Sequence, residues 1–233
     1  MKKTEVCAGA GTGAHGIVKD NVVPITLRLQ TAVLAELKEN IAQAATKSPE
    51  QRQAEEREAE RVLGSLYYFG LRVRQDRAEA ARWYRKAADH GDAGAQFNLG
   101  VLHYRGDGVP QDCKEAAKWY RLAAEQGDAS AQFNLGVMYS KGEGVPRDSQ
   151  QALKWYHLAA ERGDASAQVN LGVLYERGED VPQDYVQAQL WFTLADVNGD
   201  EQGTKNRAAV GRKMTQDQIV EAQRLAREWG ERV

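Results

Sequence analysis

Cysteine is scarce in this chain of 233 residues: Cys7 and Cys113 are its only two. Two cysteines cannot staple so long a chain in several places, which excludes a disulfide-framework fold. Proline is scarce as well, with five residues. No stretch approaches the roughly eighteen unbroken apolar residues that mark a membrane span. Nor does either charge dominate, with 31 basic and 33 acidic residues and a formal net charge of −2. General nucleic-acid or membrane-surface binders usually carry a basic excess, so neither partner is expected. A hydrophobic fraction of 42% argues against wholesale disorder. What the chain does have is tryptophan, five residues, four of them regularly placed.

Trp83, Trp119, Trp155 and Trp191 stand at constant intervals of 36 residues. A fixed period in the range of about 20–50 residues is the mark of a repeat architecture. Other residues keep the register. Ala95-Gln96-Phe97-Asn98-Leu99-Gly100-Val101-Leu102 recurs from Ala131 to Met138 and from Ala167 to Leu174, and Gly106 to Asp112 recurs from Gly142 and from Gly178. A weaker first copy carries Leu63-Gly64, Gly70, Gln75-Asp76 and Trp83-Tyr84. Four abutting copies therefore occupy 59–94, 95–130, 131–166 and 167–202.

Each copy reads as two helices. Asp92, Asp128 and Asp164 can accept hydrogen bonds from the free amides that open the first helix, and Gly106, Gly142 and Gly178 suit its left-handed end. Asp76, Asp112, Asp148 and Asp184 open the second, each followed three residues later by Glu79, Glu115, Gln151 or Gln187, an Asp version of the capping box. Two helices of roughly fourteen residues joined by a short loop form an antiparallel hairpin. Such a hairpin cannot bury its apolar faces alone, so copies stack. The expected fold is all-α, an α-solenoid of four 36-residue helix pairs. Gly100, Gly136 and Gly172 fall mid-helix, and close approach of another helix backbone is the expected compensation for their poor helix propensity.

The pattern Ala-x-x-x-Leu-Gly-x-x-Tyr-x-x-Gly-x-Gly-Val-x-x-Asp, followed by Ala-x-x-Trp-Tyr-x-x-Ala-Ala-x-x-Gly, resembles the Sel-1-like repeat, a relative of the tetratricopeptide repeat. The resemblance covers residues 59–202 and implies a right-handed superhelix that serves as an adaptor or scaffold for other proteins, without catalysis. Some secreted bacterial members carry a disulfide in every repeat; with Cys113 alone inside the array, this chain departs from that subgroup.

Outside the array, residues 203–233 resemble the capping helices that close such arrays. Thr215-x-x-Gln218 is a capping box before Ile219, Ala222, Leu225, Ala226 and Trp229. Upstream, residues 23–58 read as an N-terminal helical cap. Leu27, Leu34, Leu37, Ile41 and Ala44 form its apolar stripe, and Ser48-Pro49-x-Gln51 starts a helix that runs into copy one. The stripe could instead dimerise as a coiled coil, although it is short for that. Residues 1–22 are Gly-rich and expected to be flexible. Gly11-x-Gly13-x-x-Gly16 matches a dinucleotide fingerprint by spelling only, because no βαβ context surrounds it.

The search for chemistry is negative. His90 and His157 take slots of surface residues, and His103 takes the slot of Tyr139 and Tyr175, a packing position. None stands at metal-ligand spacing. Cys113 follows a helix cap that could lower its thiol pKa, but Ser149 and Tyr185 occupy the same slot in other copies. No catalytic residue, metal site or cofactor is expected, and the chain is not expected to be an enzyme.

One pattern in the first helix points outward. Asn98 and Arg105 lie seven residues apart, between the two apolar sides of the helix, and recur as Asn134 with Lys141 and Asn170 with Arg177. They would draw a ladder of amides beside a ladder of cations along one surface. The amides could bond neighbouring helix ends and the cations the helix dipole. Alternatively, the amides could hold an extended peptide backbone and the cations acidic groups. The resemblance places first helices on the concave binding face. The expectation is a protein-interaction scaffold that takes a protein or peptide, possibly acidic, there. The alternatives are an exported cell-envelope protein with hydrolase-like or penicillin- or peptidoglycan-type ligand binding, or a self-assembling module. The lack of an apolar leader and unpaired cysteines favour the cytoplasm over the periplasm or secretion.

Overall fold

The structure is a computed structural model that describes residues 48–231 apart from 72, 179 and 180. The Gly-rich segment and the 27–44 stripe therefore lie outside the described residues. Among those described there are ten α-helices and no strand. They are α1 (Pro49–Phe69), α2 (Arg77–Asp89), α3 (Ala93–Arg105), α4 (Cys113–Glu125) and α5 (Ala129–Lys141). Then follow α6 (Ser149–Glu161), α7 (Ala165–Arg177), α8 (Tyr185–Val197), α9 (Glu201–Gly211) and α10 (Gln216–Gly230). The chain divides into two compact units. One holds α1–α4 with residues 143–145, and the other holds α5–α10.

Helix boundaries follow local chemistry. Ser48 caps α1 and Thr215 caps α10, each in a complete capping box. Asp76, Asp112, Asp148 and Asp184 cap α2, α4, α6 and α8 by accepting from the amide three residues on. The reciprocal half of the expected box does not form there. The amide that Glu or Gln would reach back to is already taken: Asp76, Asp112, Asp148 and Asp184 donate their backbone N–H to Tyr67, His103, Tyr139 and Tyr175 carbonyls. The released Glu115 turns instead to the Trp119 indole N–H, 3.1 Å away, and to Lys118.

In the first unit the buried core is built from Ala80, Ala81, Tyr84, Ala87 and Ala88 of α2, Ala95, Leu99 and Leu102 of α3, and Trp119 of α4. Successive copies are joined by polar contacts in register. The Tyr68 hydroxyl donates to Asp107, and 36 residues on Tyr104 donates to Glu143 at 2.8 Å. Arg85 lies 4.7 Å over the Trp119 ring. In the second unit Phe133, Tyr156, Ala159, Leu171 and Trp191 share one core cluster, against which Trp229 of α10 packs. Trp191 meets Trp229 edge-on with ring centroids 5.2 Å apart.

The mid-helix glycines have a different partner from the one expected. A Cβ on Gly64, Gly100, Gly136 or Gly172 would fall 2.4–2.8 Å from ring carbons of Tyr84, Tyr120, Tyr156 or Phe192 respectively. The missing side chain makes room for the face of an aromatic ring of the second helix, rather than for backbone alone. Gly136→Ala is thus expected to destabilise the protein by about 1–3 kcal/mol through overpacking, overriding the roughly 1 kcal/mol that Ala gains in an open helix. The same change at Gly211, where nothing lies within 3.8 Å, is expected to be neutral or stabilising. The urea unfolding midpoint is expected to fall for Gly136→Ala and to hold or rise for Gly211→Ala; equal behaviour would refute the ring-seat account.

Candidate partner-binding surface

Seven residues span about 10.5 Å along a helix, so Asn and Arg or Lys share one stripe of α3, α5 and α7. The two halves of that stripe differ in depth. Arg105, Lys141 and Arg177 are exposed. Asn98 and Asn134 are not, with 6% and 0% of their surface accessible. The expected surface ladder of amides is therefore corrected for these two rungs: they sit two residues before the glycine ring seats Gly100 and Gly136. The Asn134 side-chain amide has no hydrogen-bond partner at either atom, nor has the Asn98 carbonyl oxygen.

Asn170 is half-buried and shows what this position does structurally. It hydrogen-bonds the Tyr156 hydroxyl, as does Ser140. Burial raises the Tyr156 phenol to about 12, with the two hydrogen bonds acting in the opposite sense, so the ring stays neutral.

Asn170 also lines a groove between α7 and α9, with Val169, Val173, Glu176, Arg177, Gln202 and Asn206, enclosing about 380 Å³. Asn206, at this groove, and Lys213, just past the end of α9, extend the ladder beyond the four copies read from the sequence. Asn206 stands 36 residues after Asn170, and Lys213 stands 36 after Arg177. Asp200, 36 after Asp164, caps α9 as Asp164 caps α7. Helix α9 thus keeps the position of a fifth first helix. The register was the available signal, hidden because Arg207 replaces Leu171 and Ala208 replaces Gly172. Gln202 Nε2 donates to Asn206 Oδ1 at 2.7 Å, and Lys213 Nζ pairs with Glu176 at 2.9 Å.

The described histidines, His90, His103 and His157, are used structurally. His90 is exposed as expected, but its Nδ1 lies 3.0 Å from the Glu60 carboxylate. His157 is not a surface residue: it is half-buried, edge-on to Trp191 at 5.4 Å and 3.2 Å from the Tyr175 hydroxyl. His103 is buried, with Nε2 3.1 Å from the Arg85 guanidinium. Among the described residues no cluster of His, Cys, Asp or Glu could hold a metal ion. Cys113 is buried at the start of α4.

A repeat model for the Sel1 repeat matches residues 57–92, 93–128, 129–164 and 165–195. The chain belongs to the Sel1 repeat family. Its fold is accordingly the α-solenoid of helix pairs expected from the 36-residue register. Among solved structures, it is similar to a protective antigen of uropathogenic Escherichia coli displaying an SLR fold. The two share 37% identity with a TM-score of 0.70 over 88% of this chain and 44% of the antigen. This chain thus spans less than half of that protein. A Sel1 repeat protein from Oxalobacter formigenes is similar at 34% identity, TM-score 0.65, over 76% of this chain and 72% of that one. No curated protein matches the chain. Sel1 repeat proteins generally mediate protein–protein interaction, and among the described residues no helix of this one is long and apolar enough to cross a membrane.

Burial, with Arg85 beside it, lowers the His103 pKa against the opposing pull of Glu115 and Asp112; burial lowers that of His157 against Glu161. Both contribute nothing above the unfolded value of about 6.5; below it the unfolded chain takes up protons first, so stability falls. Urea midpoints are expected to drop between about pH 7 and 5.5, and less so in His103→Tyr/His157→Arg, which borrows residues from other Sel1 copies. Separately, Asn170→Ala removes a bond to a buried phenol and is expected to cost about 1 kcal/mol. Asn206→Ala should stay within about 0.5 kcal/mol. Equal losses in thermal unfolding would contradict this distinction between rungs.

Proposed function

We propose that this Sel1 repeat protein is a non-enzymatic scaffold that holds a peptide or loop of a partner protein along the concave face formed by its first helices. The observation that carries the reading is the combination of exposed cations in register, Arg105, Lys141 and Arg177, with an open, amide-lined groove between α7 and α9. The repeated carboxylates Asp76, Asp112, Asp148 and Asp184 are consumed as helix caps, and Glu115 as a tryptophan partner, so neither supplies acid–base chemistry. With the two buried rungs Asn98 and Asn134 assigned to the interior, the working surface is the cation stripe together with Asn170.

The test begins with affinity capture by the full chain, identification of the retained protein by mass spectrometry and its recombinant expression. Arg105→Ala/Lys141→Ala/Arg177→Ala is then expected to weaken binding of that protein at least tenfold with a melting temperature close to the parent's. Undiminished affinity in a folded triple variant would remove the stripe from the binding surface.

A further inference from the structure

Consecutive copies meet through three matching slots: one on a second helix, one on the next first helix, and the next tryptophan. In the first unit these slots hold Arg85, His103 and Trp119; in the second unit they hold His157, Tyr175 and Trp191. Each residue of the second set stands two 36-residue periods after its counterpart. The histidine has changed sides, and with it the consequence of adding a proton.

Arg85 Nη2 lies 3.1 Å from His103 Nε2. A guanidinium only donates, so this bond requires an unprotonated Nε2 and a neutral ring with its proton on Nδ1. The same guanidinium lies 4.7 Å over the Trp119 ring and 3.7 Å from Glu115, whose carboxylate also takes the Trp119 indole N–H and Lys118. Arg85 thus ties α2 to both helices of the next copy. A proton on His103 removes the acceptor and leaves two cations in contact. Glu115 and Asp112 attract an imidazolium there, but burial and Arg85 outweigh them and hold the His103 pKa below the ordinary 6.5. Arg85 can swing away, since 41% of its side chain is exposed. His103 cannot: it is buried, and its carbonyl accepts the Asp112 backbone N–H that opens α4.

The second joint behaves differently. His157 Nε2 lies 3.2 Å from the Tyr175 hydroxyl. A hydroxyl donates to a neutral imidazole and accepts from an imidazolium, so this contact survives protonation by reversing. The charge that acts on His157 is Glu161, which attracts the protonated ring. His90, the third described histidine, faces Glu60 at 3.0 Å and forms an ion pair when protonated. Of the three, only His103 meets a cation.

We infer that Arg85 and His103 form an acid-sensitive latch between the first two copies: a proton on His103 drives Arg85 off the Trp119 ring and loosens α2 from α3, while the joint at His157 stays closed. The latch is fully closed above the unfolded histidine value of about 6.5 and is lost as pH falls through the lower folded value.

Backbone amide exchange and histidine ring NMR on the full chain test this. Between about pH 7.5 and about pH 5.5, exchange corrected for its intrinsic rate is expected to quicken at least fivefold more in α2 and α3 than in α6–α8. His103 should carry its proton on Nδ1 at the upper pH. Arg85→Gln keeps a donor but removes the charge, and should raise the titration midpoint of His103. His103→Tyr, the residue of the two later copies, should bring the pH response of α2 and α3 down to that of α6–α8. Equal quickening in both sets of helices overturns the inference, because a general loss of stability then accounts for it, and no quickening in either overturns it too. An unmoved midpoint in Arg85→Gln does the same, as does a local response that persists in His103→Tyr. A neutral ring with its proton on Nε2 would remove the bond on which the latch depends.

Discussion

The interaction on which the rest depends is an aromatic ring seated on a glycine. In every copy the second helix lays a Tyr or Phe ring onto a mid-helix glycine of the first, at a place where even one methyl group would collide with ring carbons. The contact fixes how closely the helices of a pair approach and how they are rotated, and close-packed interiors leave little slack for either. Ala116, Ala117, Ala123 and Ala124 flank Tyr120 on α4, and all are buried. Small residues around one large ring let the pair interlock. The helix propensity lost at the glycine is the smaller term.

The same closeness explains which polar groups became structural. A residue one turn from a ring seat is drawn inside whatever its chemistry. Buried Gln96 donates to the Ala88 carbonyl and accepts from Gln126, and Gln168 does the same with Ala160 and Asn198. Glu60 and His90 form the version of that pair in the first copy. Asn98 and Asn134 were drawn in likewise, while the cations seven residues later, at the helix ends, stayed outside. A single stripe on a helical wheel thus divides into a buried half and an exposed half.

The ring seats also differ in how their hydroxyls are used. Tyr84 pairs its hydroxyl with that of Ser65 at 3.1 Å, Tyr156 meets Asn170 and Ser140, and Phe192 brings none. The seating of ring on glycine is kept in each copy, so the polar partner varies while the packing does not.

Much of the fold was legible because it is encoded locally and repeated. The 36-residue spacing of tryptophan, the Asp caps, the left-handed glycines and Ser48-Pro49 marked helix pairs and their ends, since capping and backbone handedness depend on a few adjacent residues. Nucleophilic, metal and cofactor chemistry found no motif. Depth was not legible. Angular position on one helix separates faces, but whether Asn134 is covered and Lys141 exposed depends on helices packed from other parts of the chain. The fate of His157, the engagement of the Asp112 amide by His103 and the fifth rung at Asn206 are of the same kind. Sequence by itself determined the unit, its period and its helix ends, because those follow from short-range hydrogen bonding and spacing. Only the tertiary structure decided which repeated polar groups are buried, which are paired and which face a groove, because burial and pairing are properties of neighbours that the chain brings together in space.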